Sequence, residues 1–156
     1  MDYLAATLRA IADQCGLKPL KQVALLPGVR AAYRLTVRYH DRRAHDSVAT
    51  LRLVRVGGPQ LEVVYRALFD HKPVHFAIET TRVQAFEDAL ITAHFDHLRD
   101  AQNLPPHGAD LWLLERAAGG FYHSVLLAPE LTGGGHARVV YIVASHLPEA
   151  LREVQP

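Results

Sequence analysis

The sequence predicts an α+β domain: an antiparallel meander sheet packed against a central helix, with a second hairpin and N- and C-terminal helices. Three stretches carry that prediction. Tyr33 to His40 (YRLTVRYH) alternates apolar and polar residues with the period of a half-buried strand. From Val83 the apolar residues Phe86, Leu90 and Ala93 recur at helical spacing. Ala109 to Ala117 and Phe121 to Ala128 are apolar runs joined by Gly119-Gly120, the pattern of a β-hairpin.

In chain order, Asp2 to Gln14 places Leu4, Leu8 and Ile11 on one side of an amphipathic helix that Gly16 stops. Val23 to Leu26 reads as a short strand before Pro27-Gly28. After the Tyr33 strand, Asp41 to Asp46 is a polar turn and Val48 to Val56 the returning strand, broken by Gly57-Gly58-Pro59. Leu61 to Leu68 and Val74 to Glu79 complete the meander, whose short turns imply antiparallel pairing with one face covered by helix. Thr81-Arg82-Val83-Gln84 fits a capping box for the central helix. That helix either continues through Leu98 to Gln102 or stops near His94 with Phe95 folding back, and Pro105-Pro106 ends it in any case. In the hairpin, Leu111 and Leu113 share one face and Trp112 and Leu114 the other, so both faces need cover. Leu131 to Gly135 is a loop without the Lys-Ser/Thr of a nucleotide-binding loop. His136 to Ser145 is β-branched, yet Val139, Val140, Val143 and Leu147 line one side of a helix, and a helix is the assignment made. Leu147 to Val154 holds a last turn.

The 156 residues are expected to form a single domain spanning 1–156. With 49% hydrophobic and 21% charged residues the composition is that of a globular protein. No apolar run reaches the roughly 20 residues of a membrane span, so no membrane association is expected. Met1-Asp2-Tyr3 does not begin a secretion signal, and the single Cys15 excludes an intrachain disulfide; together these point to the cytoplasm. Charge is uneven. Residues 1–56 hold ten Lys or Arg against four Asp or Glu, and residues 57–156 hold seven against twelve. That opposition suggests complementary surfaces within one domain, or a polar face for a partner.

Meander, helix, hairpin and helix together resemble the layout of the emfourin-type inhibitors of metallopeptidases. In those proteins a helix runs into a turn containing Phe, Leu and Pro, here Phe95 to Pro105, and then a hairpin. The resemblance covers about the last half of the chain and is one of layout, so it implies no residue roles.

Three constellations bear on chemistry. His94 and His97 stand three apart, so on a continuous helix both imidazoles reach one metal ion, with Asp96 or His123 as a third ligand. The competing reading ends the helix there, with the rings serving its C-terminus. Arg34 and Arg38 share a strand face and Arg52 lies on the next strand, a stripe able to hold phosphate or carboxylate. It is short and has few interleaved aromatics, which disfavours nucleic acid. Glu115, Arg116 and His123, or Asp96 and Asp100, offer acid–base groups without a nucleophile or oxyanion donors, so no catalytic set is assigned.

From the sequence, the expected function is non-enzymatic: binding a protein partner or a second copy, without a cofactor. Its motive is the apolar surplus of the 109–128 hairpin, where Trp112, Leu114, Tyr122 and Leu126 need a cover. The alternative is a small-molecule binder or enzyme with a cleft between the sheet and the central helix; nucleic-acid binding through the basic strand face ranks third.

Overall fold

The computed structural model describes residues 2–155, and these form four α-helices and six β-strands. The meander is β1 (Val29–Arg38), β2 (Ser47–Val54), β3 (Gln60–Tyr65) and β4 (Val74–Ala77); the hairpin is β5 (Leu111–Ala118) and β6 (Phe121–Leu127). Every pairing is antiparallel, in the order β4-β3-β2-β1-β5-β6. The hairpin therefore extends the meander's sheet. Its strand β5 lies along β1 from Ala32↔Ala117 to Arg38↔Leu111. The α+β class with an antiparallel sheet is as predicted.

Helices cover both faces of the sheet, where the sequence suggested one. On one face α3 (Thr80–Thr92) and α4 (Gly134–His146) enclose Tyr33, Leu35 and Val37 with Phe86, Leu90 and Val143. On the other, α1 (Asp2–Gln14) packs Leu4, Leu8 and Ile11 against Val48, Leu111, Leu113 and Leu126. Beside it α2 (Leu20–Ala24) sets Leu20 and Val23 on Ala32 and Ala117. Covering both faces is why Ala31 through Val37 are all buried in spite of their polar alternation. It also removes a large apolar area from water, each large side chain contributing about 1.5–3 kcal/mol.

Several local features depart from the sequence reading. Residues 20–24 form a helix, not the short strand expected at Val23 to Leu26. Pro19, with φ fixed at −52°, leads into that helix, and Leu20, Val23 and Ala24 fall on its buried side. The capping box does not form: α3 starts at Thr80 after Glu79, so Thr81 lies inside the first turn, and no side chain caps the helix. Of the two endings considered, the shorter holds. The helix stops at Thr92, His94 takes a left-handed conformation with φ +57°, and Phe95 turns back into the core at 1% exposure. The helix assigned from His136 is present as α4. At the hairpin turn Gly119 holds φ +55°, the positive value for which glycine is suited.

The charge imbalance between the two parts of the chain closes on itself. Arg30 meets Glu87 at 2.7 Å, and Arg43 meets both Asp110 at 2.6 Å and Glu153 at 3.1 Å. Each pair joins the basic first third to the acidic remainder, which is the intramolecular option.

The end of α3 gives the first test. A non-glycine residue in the left-handed region costs about 1–2 kcal/mol. His94→Gly is therefore expected to raise stability by about 1 kcal/mol in urea denaturation. A loss of that size, as for glycine inside a continuous helix, contradicts the helix ending described here.

Candidate functional site

The hairpin residues expected to need outside cover are enclosed by the chain's own elements. Trp112 is 6% exposed, Leu114 2% and Leu126 0%. The pairing register also divides the group: Trp112 and Leu114 pack with the α3/α4 side, Leu126 with the α1 side. Tyr122 is half-buried and donates its hydroxyl hydrogen to Glu115 Oε1 at 2.6 Å. The apolar surplus that motivated an adhesive hairpin is absent, because a sheet covered on both faces has room for both rows.

The histidine pair is likewise dispersed. His94 and His97 sit beyond the helix, both exposed, and the continuous-helix geometry that brought them together does not exist. His123 is committed to the carbonyl of Leu98 at 2.9 Å. Among the described residues, the three-ligand cluster present is His40, Asp41 and Asp110. There Asp110 is already engaged: Oδ2 accepts from Arg43 Nη2 at 2.6 Å, and Oδ1 faces the His40 backbone NH at 3.0 Å and the ring Nδ1 at 2.7 Å. Burial alone would raise this carboxyl's pKa, but the hydrogen bonds from Arg43 and His40 outweigh it and hold the group below its ordinary range. The cluster reads as a staple joining the loop after β1 to the start of β5.

The three arginines of the basic stripe share the α1/α2 face of the sheet but do not converge. Arg38 turns to the carbonyl of Pro106 at 3.0 Å. Arg52 stays on the α2 side with its Nε buried and unpartnered. Arg34 is only 3% exposed, held by Nε on Thr50 Oγ1 at 3.0 Å and by Nη1 on the Lys18 carbonyl at 2.7 Å.

Arg34 belongs to a cleft of about 400 Å³ between α1, α2 and the sheet. Its floor is Arg34 of β1 and Glu115 of β5, directly opposite in the register, and both are buried. Its walls are Ala12, Leu17, Pro19 and Leu20; Arg9, Asp13 and Lys21 stand at the rim. Arg9 Nη2 donates to Ser124 Oγ at 3.0 Å, its Nε to Tyr122 Oη at 3.3 Å, and the same Nε lies 4.0 Å from Glu115 Oε1. Lys21 Nζ stands 4.9 Å from the centre of the Tyr122 ring. The two floor charges make no ion pair with each other; Arg34 is turned to Thr50 and Lys18, Glu115 to Tyr122. Burial lowers the Arg34 pKa and neighbouring Arg52 adds to this, against the pull of Glu115. Burial also raises the Glu115 pKa, only partly offset by the Tyr122 hydrogen bond and the charges of Arg34 and Arg9.

Beside α3 there is a second, polar groove of about 450 Å³, where the sequence reading placed its cleft. Arg30 and Glu87 in its lining pair with each other, while Asp88 has no ion pair among the described residues. Glu87 takes both Arg30 nitrogens, at 2.7 and 3.3 Å, and the Tyr33 hydroxyl at 3.1 Å. Arg116 holds Asp96 at 3.0 Å. The sheet proper is filled beneath α3 and α4, leaving about 10 Å³ among Tyr33, Phe86 and Leu114. The acid–base groupings also fail to assemble. Glu115 and His123 project from opposite faces, and Asp100 is used by the Leu126 amide at 2.8 Å.

The α1/α2 cleft escaped sequence reading because its floor joins residues far apart in the chain. The usable signal was Arg34 between Tyr33 and Leu35, and Glu115 after four apolar residues. No protein-family model matches the chain, and no curated protein matches it significantly. The layout resemblance to emfourin-type inhibitors gains no sequence support from that comparison.

Glu115 gives the second test. Its folded pKa is raised, so its contribution to stability is whole below the unfolded carboxylate pKa and is lost as pH rises through the folded value. Glu115→Gln is expected to be at least as stable as the parent at pH 7. The difference should shrink to nothing as pH is lowered through about 4. A variant less stable at pH 7 than at pH 4, relative to the parent, contradicts the burial described.

Proposed function

We propose that the protein is a small-molecule-binding protein whose ligand enters the cleft between α1, α2 and the sheet with an anionic group toward Arg34. One observation carries this reading: a buried guanidinium at the floor of an apolar-walled cleft, with its Nη2 edge not committed to any of its protein hydrogen bonds. Ligand pockets usually measure about 300–1,000 Å³ and combine apolar walls with a few convergent polar groups, a description this cleft meets. Arg9 and Lys21 at the rim add positive charge along the way in, which favours the approach of an anion. A buried arginine without a carboxylate partner is costly, and an incoming anion offsets that cost. The chemistry of the site is recognition. Glu115 and Tyr122 form a hydrogen-bonded pair, and the neighbouring Ser124 Oγ, opposite Glu115 in the register, accepts from Arg9 Nη2 at 3.0 Å.

The test is amide chemical-shift mapping of the full chain against small apolar carboxylates. Shifts should concentrate at Ala12, Leu17, Leu20, Lys21 and Tyr122. Arg34→Met should weaken binding at least tenfold, about 1.4 kcal/mol. Lys21→Glu, at an exposed position that does not threaten the fold, should weaken it in the same direction. Shifts that avoid these residues, or affinities indifferent to both substitutions, rule the reading out.

A further inference from the structure

Resting on that assignment of the cleft, the identity of its floor narrows the ligand. Arg34 and Glu115 are opposite full charges on directly paired strands, each at least 95% buried, and each makes its hydrogen bonds to other partners. Side chains directly opposite in an antiparallel pair start about 4.5–5.5 Å apart at Cβ. Two such charges ordinarily meet when nothing is to come between them. Here each keeps part of its hydrogen-bonding capacity uncommitted. Among the described residues, Glu115 spends Oε1 on Tyr122 while Oε2 takes no donor, and Arg34 spends Nε and Nη1 while Nη2 takes no acceptor.

We infer that the ligand is a small zwitterion of the α-amino-acid type, with its ammonium toward Glu115, its carboxylate toward Arg34 and an apolar side chain against Leu17 and Leu20. A simple carboxylate compensates Arg34 but brings a second negative charge close to Glu115. A simple amine compensates Glu115 and repels Arg34. A neutral amide satisfies hydrogen bonds and leaves both buried charges unneutralised. Only a ligand carrying both charged groups on one carbon offsets both at the spacing of one cross-strand pair. The rim repeats the pattern: Asp13 one helical turn beyond Arg9, with Lys21 facing them from α2. The walls set the third requirement. Leu17 and Leu20 with Ala12 and Pro19 offer an apolar surface and no hydrogen-bonding side chain.

Calorimetric titration of the full-length chain with two matched sets tests this. The first is leucine, 4-methylpentanoate and 3-methylbutylamine; the second is phenylalanine, 3-phenylpropanoate and 2-phenylethylamine. Within each set the side chain is constant and one charge is deleted at a time. The amino acid of at least one set is expected to bind at least tenfold more tightly than both of its single-charge partners. Glu115→Gln, which keeps the shape of the floor, should abolish the advantage of the amino acid over the carboxylate without weakening the carboxylate. A carboxylate that binds as tightly as its amino acid overturns the zwitterion while leaving the anion-binding cleft standing. If no member of either set binds, both the zwitterion and the cleft fall.

Discussion

The register between β1 and β5 is the constraint on which the rest of the structure depends. It joins two segments about 80 residues apart, and it turns a four-stranded meander and a separate hairpin into one sheet with β1 near its middle. A central strand covered by helices on both faces has no solvent side. Every polar residue on it must then find partners within the protein. Arg34 and Glu115 are held by protein partners for that reason, Thr36 Oγ1 is buried without one, and the cleft is the place where α1 and α2 meet the sheet without sealing the floor in. One slip of the register would exchange the faces of β5, sending Glu115 toward Phe86 and Leu114 toward α1.

That constraint also explains what was legible in the sequence. Alternation in β1, the glycine pair at 119–120 and the apolar spacing of α3 are local signals, and each element lies close to where those signals put it. Element boundaries and caps were less legible. Thr81 and Gln84 satisfy a capping pattern, but the chain enters the helix two residues earlier, and the tertiary packing of Val83, Phe86 and Leu90 holds α3 without a cap. The helix at 20–24 was missed because five residues give little periodicity, and Val23 favours strand in isolation. The hairpin's apparent apolar excess was an error of a different kind. The rows on its two faces were counted against one covering layer, and the fold supplies two.

The candidate site shows the limit of local reading most clearly. Arg34 was noticed as one of three aligned arginines, Tyr122 as one of four apolar hairpin residues, and Glu115 as one of several stray carboxylates. Each was placed in the wrong company. Only the β1/β5 pairing puts the guanidinium opposite the carboxylate, and only the path of the α1–α2 linker brings the Lys18 carbonyl onto Arg34. Neither is encoded in any short window of sequence.

The energetics of the floor argue that its charges are kept for something other than stability. Replacing buried ionic groups with apolar ones of similar volume is often neutral or stabilising by about 1–4 kcal/mol. The face that bears Arg34 and Glu115 is otherwise well supplied with aliphatic residues, from Val48 to Leu113 and Leu126. The staple at Asp110 makes the contrast. There Arg43 and His40 close directly on the carboxylate and hold its pKa down, as a group retained for structure should be. Glu115 is the reverse case: burial raises its pKa, its hydrogen bond comes from Tyr122 Oη with Arg9 Nε only at 4.0 Å, and a cleft opens beside it. Asp110, just before β5, is closed on directly by an arginine and a histidine, and Glu115 within β5 is not, which marks which end of the strand holds the fold and which end faces the cleft.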